Sequence, residues 1–93
     1  RHGLDNPSLL ELFSWTRERF DQDTRGSPIR RLGYERWMRN LAVALGNGPA
    51  DESVMAALRS QLGAISPLVD EHIEWALRQL DQRSAGSNSR TPT

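Results

Sequence analysis

Cysteine is missing from all 93 residues. Its absence excludes disulfides and thiolate-ligated metals or iron–sulfur clusters within the chain. It also suits a reducing compartment, so a cytoplasmic location is expected. No apolar run approaches the ~20 residues that span a bilayer, and no secretory segment is present. Lysine is missing too. Arginine, which carries the basic charge instead, is the better residue for bidentate phosphate contacts, although a genome rich in arginine codons gives the same composition. Histidine is confined to His2 and His72. Neither stands beside a nucleophile or in a ligand constellation, so no catalytic or metal site is expected. Strand-period alternation never persists, which leaves an all-α chain.

Ninety-three residues make one domain with a modest core. Formal net charge is zero, so bulk charge points to no partner. The distribution is uneven. Between Arg25 and Asn40 five arginines meet one acid, Glu35. A local excess of this kind attracts polyanions even when the total cancels. The chain opens Arg-His-Gly and reads as a piece of a longer protein.

Residues 1–6 read as a linker, residues 7–82 as a helical domain and residues 83–93, which lack apolar side chains, as a disordered tail. Ser8-Leu9-Leu10-Glu11 has capping-box spacing and predicts a helix from about Ser8 to Asp21. Ser27-Pro28 restarts the chain as helix and Gly33 marks a bend. A principal helix follows from Tyr34 to Asn47, stopped by Gly46-Asn47-Gly48-Pro49. Asp51 caps a third helix, Glu52 to Leu62, and Ser66-Pro67 starts a fourth, reaching about Asp81. Leu41-x-Val43-Ala44-Leu45 lines up with Ile73-x-Trp75-Ala76-Leu77, each after a Ser-Pro start. The expected architecture is four to five helices, arranged as two HEAT-like hairpins stacked in a short α-solenoid. A compact four-helix bundle fits the same pattern.

The principal helix carries the candidate site. At 100° per residue, Trp37, Met38, Leu41, Ala42, Ala44 and Leu45 share a broad apolar face. Arg36, Arg39, Asn40 and Asn47 fall opposite, without an acid between them, and Arg30 and Arg31 extend the set. Rows of arginine and asparagine donors suit phosphate and sugar contacts. Paired with nearby acids, as Glu35 with Arg39 or Asp21 and Asp23 with Arg25 and Arg30, they would instead be a solvated face. Asn47 also suits a turn, since Asn-Gly is a strong turn former. His72 reads as a boundary histidine with a possible place in binding. The aromatic residues recur at helical spacing and read as core, with Trp15 the one that also suits a partner or a base.

HGLDNPSLLELFSW, GSPIRRLGYERWMRNLAVALGN and SPLVDEHIEWAL together resemble the C-terminal HEAT-like domain of epoxyqueuosine reductases, over about residues 2 to 80. The resemblance implies a parent enzyme that reduces epoxyqueuosine to queuosine at the tRNA wobble position. It implies a cobalamin and two 4Fe–4S clusters, all bound upstream of this region. This chain would help grip the tRNA anticodon stem-loop through Arg30, Arg31, Arg36, Arg39 and Asn40, beside the upstream catalytic domain of the same protein. The family usually has arginine where this chain has Asp70. The alternative is a protein-interaction module docking through the arginine face, with a DNA-binding helix as a further rival.

Overall fold

The computed structural model describes the backbone of residues 6–89 and the side chains of residues 8–84. Six helices make up the described chain: α1 (Asn6–Phe13), α2 (Arg17–Asp23), α3 (Ile29–Leu32), α4 (Tyr34–Gly46), α5 (Glu52–Ser60) and α6 (Pro67–Ser89). No strand occurs among the described residues, as the sequence predicts. Of the expected linker, residues 1–5 lie outside the described residues, while Asn6 opens α1.

The first predicted helix is two helices, and Ser14-Trp15-Thr16 is the reason. The Ser14 hydroxyl donates to the Glu11 carbonyl at 2.6 Å, drawing the backbone away from the next helical turn. Thr16 then takes extended geometry, and its hydroxyl accepts the Arg19 amide at 3.1 Å. That makes it the N-cap of a new helix. The corner aims Phe13 and Phe20 into the core, each about 1% exposed. It is pinned to α4 by the Tyr34 hydroxyl, which donates to the Trp15 carbonyl at 2.6 Å. Burial raises the Tyr34 pKa and keeps this donor neutral. Around the bond lie Trp15, Phe20, Tyr34 and Trp37, with the rings of Trp15 and Trp37 5.2 Å apart and those of Phe20 and Trp37 4.9 Å apart. Offset and tilted pairs at this spacing add to the stability that burial gives. The guanidiniums of Arg17 and Arg19 cover the outer rings of Tyr34 and Trp15 at 5.0 and 4.6 Å.

α4 is the hub, touching α1, α2, α3 and α6. It buries Tyr34, Met38, Leu41, Ala42, Leu45 and Gly46; of the apolar face drawn from periodicity, Trp37 and Ala44 are only half-buried, and Tyr34 and Gly46 are added. On α6 the buried set is Val69, Ile73, Ala76 and Leu80. α5 contributes Val54 and Leu58. Leu62, expected as the last residue of this helix, lies beyond the end of α5 and is 38% exposed. The contacts between α4 and α6 climb in step. Val43 shares a groove with His72 and Trp75, Gly46 abuts Trp75 and Ala76, and the Gly46 carbonyl accepts from the Arg83 guanidinium. The two helices therefore run in the same direction, with α5 as the return between them.

Gly46 is a packing glycine. The left-handed glycines are Gly26, Gly33 and Gly63, whereas Gly46 closes α4 with helical geometry. A Cβ placed on it would lie 2.8 Å from the Cα and Cβ of Ala76 and from the Trp75 ring. The region expected to be a disordered tail from residue 83 is helical as far as Ser89. Arg83 caps α4 through the Gly46 carbonyl, an acceptor otherwise orphaned at the helix end. Residues 90–93 lie outside the described residues.

Two predictions follow from the packing and the caps. Gly46→Ala gains a little helix propensity and loses the close approach to Ala76, a backbone that cannot step aside. A net loss of about 1–2 kcal/mol is expected in urea unfolding, and a gain would show that α4 and α6 separate freely. Asp51 accepts both the hydroxyl and the amide of Ser53, at 2.6 and 2.8 Å, and these bonds hold its carboxyl below the usual carboxylate range. A depressed pKa stabilises above the unfolded value and ceases to do so as pH falls through the folded one. The melting-temperature advantage of the wild type over Asp51→Ala should thus be full near neutrality and shrink below about pH 4.

Candidate nucleic-acid interface

Gly33 makes the turn between the two arginine-bearing helices. Its φ of 91° is open to glycine. Its amide closes α3 on the Arg30 carbonyl and its carbonyl accepts the Trp37 amide. One residue thus ends one helix and starts the next, bringing Arg30 and Arg31 to the N-terminal end of α4. Arg30, Arg31 and Arg36 are exposed, Arg39 is half-buried, and Asn40 and Asn47 are exposed.

None of the ion pairs that would neutralise this face has formed. Among the described residues Asp23 pairs with Arg19 at 2.7 Å and Glu52 with Arg59 at 3.5 Å. Glu35 does not reach Arg39, and no acid among the described residues pairs with Arg30, Arg31 or Arg36. Arg39 instead donates Nε and Nη2 to the Asn40 side-chain oxygen at 3.3 and 3.1 Å. The pair is exposed, so it contributes little stability. What it does is hold the guanidinium plane and occupy the Asn40 oxygen, leaving the remaining Arg39 N–H groups and the Asn40 NH2 group without a partner among the described residues. The result is a row of donors whose neighbouring acceptor is already engaged, the chemistry that phosphate oxygens satisfy.

The flanking candidates sort differently. The Asn47 backbone amide closes α4 on the carbonyls of Val43 and Ala44. Its side chain makes no hydrogen bond among the described residues and continues the line of Arg36 and Asn40. His72 Nδ1 lies 2.8 Å from the Leu68 carbonyl. A carbonyl can only accept, so Nδ1 carries the proton and Nε2 faces outward. Asp70 accepts the Gly63 amide at 2.8 Å, tying the α5–α6 turn to the first turn of α6. The sequence reading missed Glu71, Trp75 and Arg78, which line a groove with Val43 and His72. The groove lies between two helices distant in sequence, and no local pattern marks it.

Comparison with known proteins decides the relationship. A protein of Pseudomonas aeruginosa named epoxyqueuosine reductase is 58% identical over 79 residues, which cover 85% of this chain and 22% of that protein. Proteins of the same name from Burkholderia pseudomallei and Escherichia coli are 57% and 52% identical, over 84% and 91% of this chain and 22% of each protein. The chain is homologous to part of epoxyqueuosine reductase. It spans about a fifth of the length of these curated relatives. No family model and no solved structure matches it. No helix among the described residues is long and apolar enough to cross a membrane. A cluster-binding role does not fit the homologous segment itself, because iron–sulfur clusters take thiolates and this chain has no cysteine.

The Arg39–Asn40 pair gives a direct check on the site. In Asn40→Ala the Arg39 Nε–H loses its acceptor. Its proton should exchange faster with water and shift in nitrogen-detected arginine spectra, while stability stays within about 0.5 kcal/mol of the wild type.

Proposed function

We propose that this chain is a non-catalytic RNA-binding domain of an epoxyqueuosine reductase, gripping the anticodon stem-loop of a tRNA. One observation carries the reading: among the described residues Arg30, Arg31 and Arg36 are exposed with no acid partner, and the Arg39 guanidinium bonds only the Asn40 side chain. A solvated structural face would use the acids close in sequence. This face leaves its charge for a polyanion. RNA stems are recognised through backbone shape and 2′-hydroxyls, which arginine and asparagine donors on one helix suit. The parallel run of α4 and α6 with α5 between them supports a HEAT-like stack, in which equivalent helices of successive hairpins lie side by side.

In this reading the remainder of the parent protein reduces epoxyqueuosine to queuosine at the wobble position and holds the cobalamin and the two 4Fe–4S clusters. This domain supplies positioning: its arginines neutralise stem phosphates and fix the register in which the loop reaches the catalytic domain. Protein docking is favoured at one place. Ile29 and Leu32, 48% and 37% exposed, flank Arg30 and Arg31 on α3, and an apolar, basic knuckle suits contact with the parent's other domain.

Arg36→Ala and Arg39→Ala test the reading. Each should weaken binding of an anticodon stem-loop RNA and flatten the slope of log affinity against log salt by about 0.7–0.9, with unchanged circular dichroism. A double variant with wild-type affinity and slope would sink the RNA face. Stronger binding to a DNA hairpin of equal length would transfer the face to DNA.

A further inference from the structure

The groove between α4 and α6 lies beside the arginine face and is made of different chemistry. It encloses about 350 Å³ between Val43 of α4 and Glu71, His72, Trp75 and Arg78 of α6, at the small end of ligand pockets. Trp75 is half-buried, with one ring edge set against Gly46. The contact that forbids a side chain at Gly46 thus also holds the indole in place. Arg78 and Glu71 form no ion pair with each other or with any other described residue, so the groove offers a free cation and a free carboxylate. The His72 Nδ1 proton is committed to Leu68, which leaves Nε2 as an acceptor when the ring is neutral. Aromatic ring, donor and two acceptors stand around one small space.

This set discriminates among occupants. A phosphate would gain Arg78 but stand against the Glu71 carboxylate, which repels it. An aliphatic side chain would leave Arg78, Glu71 and His72 unsatisfied. A flat heteroaromatic with mixed donor and acceptor edges satisfies all of them. Position narrows the choice. Val43 is one helical turn from Arg39 and two from Arg36, about 6 and 10 Å along the axis. A strand with phosphates on Arg36 and Arg39 therefore has its next nucleotide at the mouth of the groove. We propose that the groove between α4 and α6 seats one unpaired nucleobase of the bound RNA, stacked on Trp75 with its polar edge toward His72, Glu71 and Arg78. The proposal rests on the RNA-binding reading and adds a base contact to its phosphate contacts. Stacking on an aromatic side chain tolerates sequence, so the seat registers that a base is splayed out of the helix more than which base it is.

The test separates the base seat from the phosphate face. The 93-residue chain is titrated with a stem-loop RNA and with a series of otherwise identical hairpins, each with one loop nucleotide made abasic. Charge is equal throughout. The expected result is one loop position whose base removal weakens binding roughly tenfold, with the salt slope unchanged. In Val43→Trp, which fills the groove, that removal should change affinity less than twofold. If every abasic hairpin binds as tightly as the intact one and the salt slope remains steep, the base seat is overturned and the phosphate face stands. If the penalty at one position persists in Val43→Trp, the base sits elsewhere and the proposal fails. Absence of saturable binding at low salt overturns both readings and assigns the groove to a side chain of a protein partner. The wild-type series decides the matter even if Val43→Trp folds poorly.

Discussion

The close approach of α4 to α6 at Gly46 is the constraint on which the rest of the molecule depends. Two helices can meet this tightly only where one of them lacks a side chain, and here the missing Cβ would lie 2.8 Å from the backbone of Ala76. The contact brings Leu45 and Ile73, both fully buried, into one core and lets Arg83 reach the Gly46 carbonyl. It presses the Trp75 ring edge against α4. Because burial of these few side chains must outweigh the ordering of the whole chain, a small domain of this kind has little margin. Widening the approach would loosen the core and the groove together.

The other end of α4 is held by different physics. There Tyr34 bonds the Trp15 carbonyl at 2.6 Å, inside a cluster of four of the chain's six aromatic residues. A buried hydroxyl with a good acceptor and a raised pKa fixes orientation where apolar packing alone fixes only proximity. α4 is thus clamped at its start by an aromatic corner and at its finish by a glycine contact. Between the clamps Arg36 and Asn40 are exposed and need not pack against anything, and Arg39 is only half-buried. That freedom is what allows a row of donors without acids.

Much of this was legible in the sequence because helical period is a local signal. Most of the apolar face of α4 follows from spacing, and the Asp51 cap from one residue type at one place. What escaped had non-local or competing causes. Ser14 and Thr16 read as tolerable helix residues, yet their hydroxyls bond the backbone and split the first helix. Gly46 followed by Asn47-Gly48 reads as a helix stop, and only the partner helix reveals that it is a packing surface. Arg83 sits in a run of small polar residues that reads as disorder, and only the α4 terminus supplies the acceptor that employs it. Arg36, Arg39 and Asn40 were found together from the helical wheel, and their lack of acid partners is something the wheel cannot give.

Asp70 shows how the charge of the whole chain bears on the site. The resemblance implies arginine at this position, so this chain differs there by two units of charge. The carboxylate has local work, holding the Gly63 amide of a left-handed turn at 2.8 Å. An acid in the first turn also suits the α6 dipole. Asp70, Glu71 and Glu74 set three carboxylates along α6, with Arg78 on the same side, while Arg36 and Arg39 on α4 have no acid partner among the described residues. Net charge is zero, yet among the described residues only Asp23 with Arg19 and Glu52 with Arg59 cancel as ion pairs. A polyanion meeting this surface finds only arginine charge at Arg36 and Arg39 on α4 and carboxylates mixed with Arg78 on α6, within about a Debye length of 8–10 Å. Phosphates are therefore favoured along α4 over the groove, where Glu71 stands beside Arg78. A nucleotide reaching from α4 into the groove would keep its phosphate on the α4 arginines and offer its base to the mixed donors and acceptors of α6.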